Sequence, residues 1–359
     1  MGDEQPQVPE ALVAAGGTPR GRSWGRLAFR AVLVLVSAAA LWWVVAKAIG
    51  HEDLPRLAKA TTGQLAIFGL LSVATVVING LIFWLTLLPV RRLRLVDVQA
   101  TNALATLSAL IPFKFSLLVR VLVHRRRDGL PLLVIGAWFA AMAVVLIAAP
   151  APALGAAWLR GGLDAQAILF AGVGTAGVVV AIVAAARVFR GPRGLERLGK
   201  LADVVRLGIV GRAVRSAAFG NLHSGFEMLS NVWVVGATTL LRLADMAVQA
   251  GRFYVVAQVL GYTLSAPEAL LLAIAFFMIG VVSPVMVGVR EGGVAQLAAI
   301  IGVGGADAGP VLAVAVAAGE GLVNLVLGAL GLAWIGPGVF AGRGVPPQAS
   351  AIASDAQRR

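Results

Sequence analysis

Cysteine is absent from the 359 residues, and histidine occurs only at His51, His124 and His223. That excludes disulfides, a thiol nucleophile, zinc–thiolate sites and iron–sulfur clusters, and it leaves the redox compartment open. Charge is also scarce. Asp, Glu, Lys and Arg make up 13% of the chain, where a soluble domain carries roughly a quarter. The sequence has no Gly-rich phosphate loop closed by Lys-Ser/Thr, no His-Glu-x-x-His and no Gly-x-Ser-x-Gly. It also lacks the paired aspartates of a membrane glycosyltransferase. The run Gly172–Gly177 follows no strand and lies inside an apolar stretch, so it is not a nucleotide site. These absences predict a protein that is not an enzyme and that needs no cofactor and no metal.

Apolar residues are abundant: 59% of the chain is hydrophobic and the mean hydropathy is +0.89. Several runs exceed the roughly 18 residues that mark a transmembrane helix. The expected fold is all-α, a polytopic helical membrane protein. The net charge of +13 fits arginine-rich loops held at an anionic cytoplasmic leaflet. The basic runs adjoin apolar spans and lack interleaved aromatics, so no nucleic-acid partner is expected.

Residues 1–26 read as a disordered cytoplasmic tail, and the arginines up to Arg30 precede a first span at Ala31–Ile49. The loop His51-Glu52-Asp53 is solvated, since three consecutive residues cannot converge on one ion. A second span, Leu65–Val90, ends in Arg91-Arg92-Leu93-Arg94. The stretch from Val96 to Val123 is apolar in two halves around Pro112 and Lys114, and it ends in His124-Arg125-Arg126-Arg127. Both flanks read as cytoplasmic, so a re-entrant hairpin with its tip near Pro112 is expected. Further spans follow at Pro131–Ala149 and Ala165–Ala186, the latter with Gly172 and Ala176 at a close-packing spacing. A basic cytoplasmic segment occupies 187–215, partly as an amphipathic helix on anionic lipid. Then come Asn231–Leu260, Pro267–Val282, a broken segment, a short helix at Val294–Ile301 and a last span at Pro310–Ile335.

This pattern predicts about seven to eight spans, with two broken or re-entrant helical segments in two pseudo-symmetric halves. A transmembrane domain at 27–336 would comprise halves of about 27–186 and 216–336. A disordered tail is expected at 337–359. Both termini would be cytoplasmic, in a multi-pass protein of the inner (cytoplasmic) cell membrane.

The candidate site comes from the two interruptions. One reads Pro112-Phe113-Lys114-Phe115-Ser116 with Arg120 after it; the other has Pro284, Gly288, Arg290 and Glu291. Each has a proline, a small residue four positions on, and then an arginine. Paired breaks in corresponding places point to a binding site in membrane transporters, and opened helix N-termini present N–H groups to an anion. Arg290, Lys114 and Arg120 would hold a phosphate. Two readings stand for each. Arg290-Glu291 is either functional intramembrane charge or an ion pair at a helix start. Lys114 and Arg120 are either ligands or interfacial anchors. Arg242 and Asp245, at i,i+3, form either a satisfied packing pair or a polar wall of the same cavity or an ion relay. Glu320 sits between Gly319 and Gly321 with Asn324 one turn on, and Arg242 or Arg290 could partner it.

The run Ser283-Pro284, then Val287-Gly288-Val289-Arg290-Glu291-Gly292, resembles the signature P-x-x-G-G-x-G-x-R-E. That signature marks the lysylphosphatidylglycerol synthase transmembrane region, also called the flippase-like or UPF0104 integral membrane family. Ile111–Arg120 is similar to its second signature, L-P-G-R-x-G-E-x-x-R. There Leu117 replaces the acidic residue and Lys114 an arginine; in the other motif, Met286-Val287 replace a double glycine. The resemblance covers roughly 27–336. It implies a lipid translocase that binds a phospholipid, glycolipid or polyprenyl-phosphate headgroup in a polar intramembrane cavity. Its partners would be membrane lipids with anionic headgroups. In the full synthases a soluble C-terminal domain carries the aminoacyltransferase, and the chain's end some twenty residues after the last span leaves that domain out. The alternative is a non-transporting accessory or regulatory subunit of a lipid- or glycan-modifying enzyme, which would then be a partner. The change at Leu117 favours that alternative.

Overall fold

The computed structural model describes residues 35, 39, 41–49, 51–109, 115–204, 217–283, 288–304, 308–336 and 339–340. Pro112, Lys114 and Pro284 lie outside them, as do the N-terminal tail and all of the C-terminal tail except Val339 and Phe340.

Every regular element among the described residues is helical. The first is α1 (41–49), followed by a short 3-10 turn at Leu54–Lys59. Then come α2 (Thr62–Leu87), α3 (Leu95–Ser108), α4 (Phe115–Arg126), α5 (Leu132–Ala148) and α6 (Ala151–Arg160). The chain continues through α7 (Ala165–Phe189), α8 (Gly191–Val204), α9 (Ala217–Ser230) and α10 (Val232–Leu260). It closes with α11 (Ala266–Val282), α12 (Val289–Ile300) and α13 (Ala308–Ile335).

Local chemistry sets the starts of these helices. Thr61 and Gln64 form a reciprocal capping box at α2, and Ser265 and Glu268 form another at α11, with Pro267 inside the first turn. Asp164 caps α7 through the Ala167 amide at 2.7 Å, and Asn231 caps α10 through the amides of Trp233 and Val234. The last turn of α10 is closed by Gly261 at φ 79°, a left-handed residue that a side chain would strain. Buried hydroxyls within helices bond back to the preceding turn: Ser72 to Phe68, Thr86 to Ile82, Thr101 to Asp97.

The expectation of seven to eight spans does not hold. Among the described residues four helical stretches are long and apolar enough to cross a bilayer: Thr62–Leu87, Leu132–Arg160, Ala165–Phe189 and Ala308–Ile335. The physical reason lies in length and charge. Most of the first half of the expected span Ala31–Ile49 lies outside the described residues, and α12 has 12 residues, well short of the roughly 20 needed. With 17 residues α11 also falls short. The α10 helix has 29 residues, but Arg242, Asp245, Gln249 and Arg252 lower its hydropathy.

The most extensive helix contacts pair α2 with α10 and α3 with α13, and α12 also packs along α13. Small residues permit the close crossings. A Cβ at Gly331 of α13 would meet the Ala100 carbonyl oxygen of α3 at 2.5 Å, and one at Gly319 would meet the Phe68 ring of α2 at 2.5 Å. In α7 the close contact is at Gly174, whose Cβ would meet Pro152 at 2.9 Å, while Gly172 faces open space. The main apolar core joins Phe253 and Leu260 of α10, Phe276 of α11, Val294 of α12 and Val311 and Val316 of α13. A second surrounds Trp138 of α5.

Candidate functional site

Between α2, α3, α4, α5, α10, α11, α12 and α13 lies a cavity of about 450 Å³. Its polar wall carries Arg120, Arg242, Arg252, Arg290, Glu320 and Asn324, and its apolar wall includes Phe83, Phe276 and Phe277. Leu117 and Ile147 line it as well, and they are 39% and 41% exposed.

Each guanidinium is placed by a different device. Arg242 (1% exposed) donates to Asp245, which also accepts from Gln249 Nε2 at 2.6 Å. The Arg242 guanidinium lies over the Phe277 ring at 3.7 Å and approaches Asn79 Oδ1 at 3.4 Å. Arg290 sits over Phe276 at 3.8 Å, donates to Glu291 Oε1 at 2.8 Å and lies 3.7 Å from Glu320. Arg252, 1% exposed, approaches the same Glu320 at 3.5 Å. Arg120, 9% exposed, donates to Asn102 Oδ1 at 2.6 Å and lies over Phe83 at 4.5 Å. Asn102 is itself anchored through the Val76 carbonyl at 2.8 Å. Among the described residues no carboxylate comes within ion-pair distance of Arg120.

The start of α12 explains the glycine in its motif. Gly288 has φ 90°, and its amide donates to Glu291 Oε2 at 2.6 Å. Glu291, three residues into the helix, therefore caps α12 with one oxygen and holds Arg290 with the other. A side chain at position 288 would strain that backbone.

The structure thus brings Ser116, Arg120, Arg242, Arg290 and Glu320 onto one cavity. Asp245 and Glu291 stand behind the wall, 0% and 2% exposed, as partners of its arginines. Arg252, Asn102, Asn79 and Gln249 also line the cavity, and the sequence reading did not single them out. The signal for two of them was present. Arg242, Asp245, Gln249 and Arg252 step by three, four and three residues along one helix face.

Unused hydrogen-bonding capacity concentrates at this cavity. Thr75 Oγ1, Arg242 Nε, Asp245 Oδ1, Arg252 Nε and Nη1, Glu320 Oε2 and Asn324 Oδ1 are buried and have no hydrogen-bond partner among the described residues. Such atoms are costly unless something satisfies them. No group of three His, Asp or Glu side chains that could hold a metal occurs among the described residues. The unused atoms include both donors, on Arg242 and Arg252, and acceptors, on Asp245, Glu320 and Asn324.

At the level of class, this is a multi-pass α-helical membrane protein with a basic cavity among its helices. The particular family is shown by the model for the lysylphosphatidylglycerol synthase TM region, which matches residues 30–338, and the chain belongs to that family. No curated protein and no solved structure matches the chain.

Proposed function

We propose that the protein is a flippase-like lipid translocase whose cavity receives a phosphate-bearing lipid headgroup. The observation that carries this reading is the convergence of four arginines on one cavity between bilayer-length helices. Arginine matches phosphate geometry with two parallel donors. Ionisable groups are rarely kept at such depth without a role. The exposed apolar residues Leu117 and Ile147 would let acyl chains stay in lipid while the headgroup enters the cavity. The arginine-rich flanks of the helices favour a cytoplasmic location for both termini, in the inner membrane.

Within this scheme Arg290 is the movable contact. It is shared between Glu291 and the looser Glu320, so a phosphate can replace Glu320 without uncapping α12. The test is lipid scrambling by the reconstituted full chain. Arg290→Ala should slow movement of anionic lipid by about 10- to 100-fold, the worth of one charge-assisted contact. Unchanged movement of every anionic lipid tried would remove Arg290 from the site.

A further inference from the structure

We infer that the turn between α7 and α8 holds the headgroup of an anionic phospholipid in a second site, at one edge of the bundle and separate from the central cavity. The inference does not depend on the translocase reading.

An open pocket of about 970 Å³ lies between the end of α7, the start of α8, the last turn of α9 and the first turn of α10. Arg187, Arg190 and Arg193 line it. Their spacing crosses a turn. Arg190 follows α7 in extended backbone and Gly191 takes φ 67°, so arginines from two helices open onto one pocket. Arg187 is tied to the end of α9 through Nε, which donates to the Ser230 carbonyl oxygen at 3.2 Å. Among the described residues none of the three has a carboxylate within ion-pair distance. The lining includes one acidic residue, Glu227, and it takes part in none of those pairs. Glu196 of α8 is held by Lys200 at 2.8 Å. Asp203 lies ten residues beyond Arg193, about 15 Å along the helix. Residues 205–216 add Arg206, Arg212 and Arg215 and no acidic residue. The pocket therefore carries an excess of positive charge that the neighbouring chain does not cancel.

Position and rim favour a lipid over a free anion. The α7 helix is of bilayer length, with exposed apolar residues from Ile168 to Val180. Arg187, in its last turn, therefore sits at headgroup depth. Trp233, 83% exposed, lines the same pocket. An exposed tryptophan beside basic residues is the anchor pattern of the membrane–water interface, and basic pockets between helices at that level receive anionic headgroups. The start of α10 does not hold the anion, because Asn231 already accepts from the amides of Trp233 and Val234. The arginines do. Arg242 is nine residues beyond Trp233, about 13 Å along α10, so this lipid is not the one in the central cavity. Arg190 and Arg193 are exposed, so the lipid exchanges with the bilayer and is measured in vesicles.

Quenching of Trp233 fluorescence by brominated lipid tests this. The full chain is reconstituted in phosphatidylcholine vesicles, and phosphatidylglycerol or phosphatidylcholine with brominated acyl chains is titrated in. The chain has eight tryptophans, so the Trp233 signal is that of the wild type less that of Trp233→Phe. Half-quenching should need at least about tenfold less brominated phosphatidylglycerol than brominated phosphatidylcholine. Arg190→Gln with Arg193→Gln should remove that preference, either change alone should lower it about fivefold, and Arg190→Lys with Arg193→Lys should keep most of it. Arg92→Gln with Arg94→Gln takes the same charge from the turn after α2 and should keep the preference. So should the cavity variant, Arg120→Gln with Arg290→Ala. Melting temperatures report folding. Equal quenching by the two lipids would overturn the inference, as would a preference that survives in the folded Arg190→Gln, Arg193→Gln protein. An equal fall in the Arg92→Gln, Arg94→Gln protein would mean diffuse charge and no pocket, and would overturn it too. Loss in the cavity variant would assign the signal to the central cavity. Release of the quenching by inorganic phosphate or glycerol phosphate would assign the pocket to a free anion and overturn the lipid assignment.

Discussion

The α7 and α10 helices are similar in length and opposite in design. In α7 there is no charge before Arg187, and Ile168, Leu169, Phe170, Val173 and Val180 are each more than half exposed. Such a surface suits lipid. In α10, Arg242, Asp245, Gln249 and Arg252 are all buried within the bundle, each 4% exposed or less. Hydropathy accepts α7 as a span and passes over α10, although α10 holds the polar wall of the cavity. The difference teaches that the charge of α10 sits on a face that other helices cover, where it has partners. Each of the four cavity arginines has a carboxylate, an amide or an aromatic face beside it.

The strongest way to break that contrast is to remove one partner from α10. Asp245→Leu leaves Arg242 buried and unpaired, and stability should fall by about 3–5 kcal/mol. Replacing both, Arg242→Met with Asp245→Leu, should restore most of the loss, because a buried pair and a well-packed apolar pair are near equal in stability. Thermal melting in detergent of the single and double variants separates these outcomes. If the single variant melted like wild type, the pair would carry no structural weight.

The converse experiment puts an unpartnered charge on α7. Val180 is 67% exposed on its apolar surface. Val180→Arg should cost roughly 2.5–3.5 kcal/mol of insertion free energy, read as a drop in membrane-integrated protein. Insertion at the wild-type level would mean that this face meets something wetter than lipid.

Some of this was legible in the sequence. The all-helical membrane class follows from composition. The breaks at Pro112–Arg120 and Pro284–Glu291 stand out because glycine, proline and charge are misplaced in apolar runs. Arg242 and Asp245 stand out for the same reason. The span count was not legible, because an apolar run does not give the length of its helix: α11 has 17 residues and α12 has 12, and the buried charges of α10 lower its hydropathy. Arg252 was missed because it lies near the end of an apolar run, where an arginine ordinarily reaches the interface; only the helical register with Arg242 marks it as internal. The role of Glu291 as the cap of α12 needed the backbone turn at Gly288. The pairing of Arg120 with Asn102 needed two helices to be packed.

The central claim is that the basic cavity holds an anionic lipid headgroup. Native mass spectrometry of the full chain released from detergent tests it most directly. The wild type should retain one anionic phospholipid through gentle activation, and the Arg120→Gln, Arg290→Ala double variant should lose it while staying folded. A wild type that carries no anionic lipid, or a folded double variant that keeps the same lipid equally well, would contradict the account.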